Sequence, residues 1–288
     1  MRNVLSVTSL TLALALVLTV PGAQAASLNI YTNCALLPWG TFGPAGITTA
    51  VGLTSRVDGI VEWAFFDEDG DRLDDGRFAI EGDELTGLTL DLVLSPALSG
   101  ATGFMLFCLD SNADGLITVD DNGVLVANAF YVDLPNNDVA FLPVWSVTAG
   151  NLDEPDPENW TEEPIVDIPL LAAGTGASVD MQYLVDGVVG DGDNTRIVIF
   201  TSDEPSLLVS MQAIGPGRQL EVSVELPHGR LNVLDVESIE EISALQGLRP
   251  SGFLRWNIPA NAGSVVAFSL VESPGFGALQ TLLGNVLP

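Results

Sequence analysis

FMLFCLDSNADGLITVDDNGVLVANAFYV, residues 104–132, is the stretch whose reading decides the fold. Two apolar runs rich in β-branched and aromatic residues, Phe104 to Leu109 and Val124 to Val132, flank a polar segment built from Asp, Asn and Gly. Strands interrupted by turn chemistry have this texture. It recurs at Ile60 to Phe66, Arg196 to Phe200 and Val265 to Leu270, with apolar residues at a period of two. Helical periodicity is weak beyond the N-terminus. The best helical segment is Val236 to Leu248, which spaces Ile239, Ile242 and Leu245 on one face. Many short strands at regular spacing predict an all-β sandwich or barrel.

The pattern runs through the chain twice. In the first half VEWAFF meets a glycine turn before Arg72-Leu73, a second strand reaches Ile80, EGDE leads to Leu85, and Gly103-Phe104 opens another strand. In the second half VSMQAI meets Gly215-Pro216-Gly217, a strand runs from Leu220 to Leu226, PHGR leads to Leu231, and Gly252-Phe253 follows. Between the halves, NLDEPDPENWTEEPIVD is rich in acid and proline and has no periodic apolar pattern, as expected of a linker or long surface loop. The expected organisation is a signal peptide over 1–25, a β-sandwich over 26–150, the acidic connection over 151–168 and a second β-sandwich over 169–288. The units are expected to be Ig- or jelly-roll-like, with short helical elements. The segments DEDGDRL and NAFYVDLPNNDVAF resemble exported bacterial proteins built from tandem β-sandwich units, a resemblance that implies no activity.

Export is the expectation from the N-terminus. Arg2 precedes an uncharged run from Val4 to Val20, Pro21 and Gly22 break it, and Ala23-Gln24-Ala25 gives the small-x-small pattern before a cleavage after Ala25. No second segment is long and apolar enough to span, so a soluble product in the periplasm, at the cell surface or outside the cell is expected. The formal charge is −29, and every basic residue is an arginine. Such a surface disfavours nucleic acid, which needs a basic patch, and attracts cations. Cys34 and Cys108 are the two cysteines. An oxidising compartment favours one disulfide between them; two buried thiols are the alternative.

Asp110 to Asp121, DSNADGLITVDD, carries the chemistry. It resembles the calcium loop of EF-hand and dockerin proteins. The resemblance implies oxygen ligands from Asp110, Asn112 and Asp114, a sharp turn at Gly115 and a carbonyl ligand from Leu116. It further implies a buried aliphatic at Ile117, a ninth-place ligand at Thr118, often through water, and an acid ligand at Asp121. The cofactor implied is Ca²⁺. Two features depart from the family: Asp stands at the twelfth place where Glu is usual, and the flanks read as strands rather than helices. The alternative is a plain hairpin turning at Asn122-Gly123. The second acidic cluster (Asp67, Asp69, Asp71, Asp74 and Asp75) has Arg72 where the glycine is needed, and reads as a hairpin turn.

Catalysis is not expected. His228 is the single histidine, no G-x-S-x-G elbow accompanies it, and a zinc site would need more His or Cys. The expected role is structural or adhesive, with an extracellular protein or polysaccharide as partner. A calcium-stabilised carbohydrate-binding module is the alternative, with Trp39, Trp145 and Trp160 as stacking candidates near loops and Trp63 and Trp256 in the core. A glycoside-active enzyme using two of the many acids is the third.

Overall fold

The computed structural model describes residues 32–43, 46–121, 125–152, 155–160, 177–185, 194–203, 208–215, 218–243, 251–259, 262–273 and 278–287. The signal segment lies outside them, as do the Asn122-Gly123 turn, residues 153–154 and 161–168 of the acidic connection and the opening 169–176 of the second predicted unit; so do Asp191 and Asp193, which read as loop residues in the sequence. Among the described residues no helix is long and apolar enough to cross a membrane.

The first half contributes β1 (Cys34–Phe42), β2 (Ile47–Ser55), β3 (Gly59–Phe66), β4 (Arg72–Ile80), β5 (Leu85–Thr89), β6 (Ala101–Asp110), β7 (Leu125–Asp133), β8 (Asp138–Leu142) and β9 (Trp145–Val147). The second contributes β10 (Ser178–Leu184), β11 (Asn194–Thr201), β12 (Leu208–Gly215), β13 (Arg218–Glu225), β14 (Leu231–Asp235), β15 (Ser251–Asn257), β16 (Val265–Ser273), β17 (Ala278–Leu283) and β18 (Asn285–Leu287). All pairings between these strands are antiparallel. The predicted strand runs fall within β3, β6, β11 and β16 and on β7, which is described from Leu125; Val124 lies outside the described residues.

The two halves follow one plan. In the first, β1 meets β2 only through the pair Phe42↔Thr48, so the nine-stranded sheet folds there into two layers, β4-β3-β6-β1-β9 and β5-β2-β7-β8. In the second, the layers are β13-β12-β15-β10-β18 and β14-β11-β16-β17. Adding nine to each strand number of the first half reproduces the second. A one-turn helix follows the fifth strand of each copy: α1 (Leu90–Val93) directly after β5, and α2 (Glu240–Ser243) after β14 and a short 3₁₀ turn. The predicted helical segment thus survives as short turns over its described part, with Ile239 and Ile242 buried as its periodicity required.

Alternation along the strands builds the core. On β11, Ile197 and Ile199 face a core private to the second half, while Val198 and Phe200 join the core of the first. On β16, Val265 and Ala267 take the first course and Val266, Phe268 and Leu270 the second. Side chains one residue apart point to opposite faces of a sheet, so the layer holding β11 and β16 is apolar on both. Phe200 meets Phe104 edge-on at 5.0 Å, and Trp145 stacks on Phe268 at 6.5 Å. The two copies therefore share a hydrophobic seam, and the chain from Tyr31 onward holds together as one unit.

Cys34 and Cys108 form a disulfide across β1 and β6, with Cα atoms 4.1 Å apart. The adjacent residues Asn33 and Leu109 are joined by a backbone hydrogen bond of 2.7 Å, which makes the cysteines a narrow, non-hydrogen-bonded pair where side chains come closest. The described part of the acidic connection is packed down: Trp160 is buried, and Pro157 O accepts from the Arg72 guanidinium at 3.4 Å.

Candidate metal centre and the seam cleft

The loop Asp110–Asp121 leaves the end of β6 and is organised by its own carboxylates. Asp110 is only 1% exposed. Its Oδ2 accepts the Gly115 N–H at 2.8 Å, closing the first turn. Asn112 Oδ1 accepts from Asp114 N at 2.9 Å, and Asp114 Oδ1 from Leu116 N at 3.0 Å. Gly115 sits at φ +87°, the left-handed conformation for which the sixth place needs glycine. Ile117 is buried as the eighth place requires, and its N–H bonds Pro155 O at 2.7 Å, tying the loop to the connection segment. Among the described residues Ile117 to Val119 form no strand; the Asn122-Gly123 turn of the hairpin alternative lies outside them.

Asp121 is held by the two ends of the loop. Its Oδ1 accepts from Ser111 N and Ser111 Oγ, both at 3.0 Å; its Oδ2 accepts from Thr118 N at 2.7 Å and Thr118 Oγ1 at 3.2 Å. An ionised carboxylate has about four lone-pair sites, and here all are used. Asp121 is thus a clasp holding the two ends of the loop together. Asn33, at the start of β1, steadies the same loop: its Nδ2 donates to Thr118 O at 3.0 Å while its Oδ1 accepts from Ala149 N at 3.1 Å. Neither Ser111 nor Asn33 carries a motif signal, because their bonds join residues that only the fold brings together.

The oxygens left for a cation belong to Asp110, Asp114, Asn112 and the Leu116 carbonyl. Asp110 Oδ1 is buried and has no hydrogen-bond partner. Among the described residues no three His, Cys, Asp or Glu side chains are gathered as a metal-binding group. The donor set is two carboxylates plus neutral oxygens, the hard-oxygen chemistry that suits calcium.

The second acidic cluster places Asp67, Asp69 and Asp71 in the β3–β4 hairpin turn its sequence predicts, with Asp74 and Asp75 on β4. Asp67 Oδ1 accepts from the backbone of Asp69 at 3.0 Å and of Asp71 at 2.9 Å. What the sequence does not announce is that this turn docks on the second half. Glu68 O accepts the N–H groups of Arg230 and Leu231 at 3.0 and 2.9 Å, Asp69 Oδ1 accepts Gly229 N–H at 3.0 Å, and His228 Nδ1 lies 3.3 Å from Asp69 Oδ1. The Gly229 bond, with His228 beside it, holds the Asp69 carboxyl below its ordinary value of 3.8 against a smaller opposing effect of burial. A carboxyl with a depressed folded-state pKa stabilises above the unfolded value and loses that contribution as pH falls through the folded value. Wild type should therefore be slightly more stable than Asp69→Asn at about pH 6, with the gap closing by about pH 3 in urea unfolding. A gap that widens on acidification would refute the assignment.

Beside this turn lies a cleft of about 230 Å³, walled by Trp39 and Thr102 from the first half, Arg196 and His228 from the second, and Glu68 between them. The Arg196 guanidinium lies over Trp39 at 5.5 Å and Tyr131 at 5.6 Å, and those rings stack 5.4 Å apart. Arg196 also pairs with Glu272. Burial pushes the Tyr131 phenol above its ordinary value, with Arg196 pulling the other way.

All five tryptophans are buried, the most exposed at 7%. Trp39, Trp145 and Trp160, expected near loops as sugar-stacking platforms, are core residues like Trp63 and Trp256. Alternation could not reveal this, because the layers on either side of the seam are buried on both faces. No protein-family model and no curated protein matches the sequence.

Proposed function

We propose that this chain is an exported, non-catalytic protein with a structural or adhesive role, whose first sandwich is fastened by one calcium ion in the Asp110–Asp121 loop. The observation that carries the ion is Asp110: a carboxylate buried at 1% exposure with one oxygen unpartnered. A buried carboxylate oxygen without a partner is costly, and a hard cation is a partner that removes the cost. Asp114, Asn112 and the Leu116 carbonyl would complete its ligands, with Thr118 acting through water. Asp121 would serve the site by holding the loop closed. A partner outside the cell, protein or polysaccharide, fits the acidic surface better than nucleic acid does.

The test is thermal and chemical unfolding with calcium and with chelator. Sites of extracellular modules have dissociation constants of about 10⁻⁴–10⁻³ M, so about 10 mM calcium should add about 1.4–2.7 kcal/mol. Asp110→Asn should lose the calcium dependence, because the amide puts N–H donors where the cation needs a carboxylate oxygen. Identical unfolding of wild type in calcium and chelator would sink the site.

A further inference from the structure

We infer that the acidic connection is the outer wall of the calcium loop and that calcium governs its docking, an inference that rests on the calcium reading above. The two segments meet at one peptide group. In that reading the Leu116 carbonyl is a ligand, and across the same peptide the Ile117 N–H donates to Pro155 O at 2.7 Å. Carbonyl and N–H of a planar trans peptide point in opposite directions, so an ion that fixes the one aims the other at the connection. A cation on the carbonyl also polarises the group and strengthens its N–H as a donor. Two contacts beside it join the loop to the residues leading into the connection. Asn33 donates to Thr118 O at 3.0 Å and accepts from Ala149 N at 3.1 Å, and a Cβ added at Gly150 would lie 3.3 Å from Val119 Cγ1.

Charge makes this docking conditional. Residues 110–121 carry four acids and residues 151–160 another four, with no base in either stretch. Seating one acidic segment on another opposes like charges, most of all when the loop holds no cation. A divalent ion among the loop carboxylates is the largest local charge and lowers that opposition. Pro155 and Asn33 are thus positioning residues for the ion, outside its ligand set. By linkage, whatever loosens the connection weakens calcium binding by the factor through which calcium tightens the connection. For an exported chain the consequence is a calcium-dependent resistance to cleavage between its halves.

The experiment is hydrogen exchange read by mass spectrometry on the full exported chain under three conditions. These are about 10 mM calcium chloride, chelator, and chelator with sodium chloride at matched ionic strength. If calcium binds the docked state alone, dissociation constants of about 10⁻⁴–10⁻³ M slow exchange about 10–100-fold. That slowing is expected at Ile117 and over residues 156–160, while β13, at the far edge of the second copy, is unchanged. The glutamate-specific protease Glu-C should cut the Glu158-Asn159 bond more slowly in calcium by a similar factor. Asp110→Asn should exchange at the chelator rate throughout. Slowing at 115–118 without slowing at 156–160 would overturn the coupling and leave the calcium site standing. No slowing in either segment would overturn both. Equal slowing in β13 would mean general stabilisation, and equal slowing by sodium chloride would mean screening; either result overturns the inference.

Discussion

Replacing Cys34 and Cys108 together by alanine is expected to lower the unfolding free energy by about 4 kcal/mol. The bond joins residues 74 apart in sequence, and the entropy of closing so long a loop in the unfolded chain sets the size of the effect. In the folded state the cysteines face each other across β1 and β6 whether bonded or not, because the flanking ladder fixes the register. Alanine rather than serine keeps a hydroxyl out of a site with no exposure. Guanidinium unfolding of the oxidised wild type against the double variant measures the difference. A loss below about 1 kcal/mol would mean that the unfolded chain is already held compact and the bond is redundant.

Phe200→Ala is expected to cost about 3–5 kcal/mol and to change how the halves unfold. Phe200 has no exposed surface, and although it belongs to the second half it packs in the core of the first, edge-on to Phe104. Its removal leaves a cavity at the seam rather than inside either sandwich. Wild type should unfold in one transition, since neither half can expose the seam without exposing the other's apolar face. The variant should split toward two transitions. A double-mutant cycle with Phe104→Ala should return a coupling of about 1 kcal/mol for the aromatic contact. Additive losses would place the two rings in separate cores, contrary to the structure.

Much of the fold is legible in the sequence because period-two alternation and turn residues act locally. The repeat is legible for the same reason: the glycine before Phe104 and the one before Phe253 lie near the starts of corresponding strands, β6 and β15. The seam is not legible. Val198 and Phe200 read as strand residues, and only the tertiary arrangement shows that they leave the core of Ile197 and Ile199 for another. Trp160 lies in an acidic, proline-rich stretch whose composition argues for solvent, yet it is buried. At the loop, Asp110, Gly115 and Ile117 take the positions that the motif assigns them, because that motif encodes a backbone path. The bonds that Asp121 accepts from Ser111 and Thr118 are not encoded in the motif. The contact of Asp69 with Gly229 spans 160 residues and has no local signature.

The correspondence of strands n and n + 9 bears on how such a molecule ends. The copies meet through unlike faces: Phe104 of β6 in a five-stranded layer against Phe200 of β11 in a four-stranded one. Unlike faces that fit each other can in principle recruit a third unit, and a fourth, into a fibre. The place where a third would dock is the β15 face that corresponds to β6, and there the rungs have been rewritten. The apolar pair Leu36↔Leu106 of the first copy is matched in the second by Asp180↔Arg255, whose side chains join through bonds of 2.6 and 2.7 Å. Cys34↔Cys108 is matched by Ser178↔Asn257, and Phe253, the counterpart of Phe104, stands 44% exposed. The second copy thus presents a polar face where the first presents the apolar one that docks on β11.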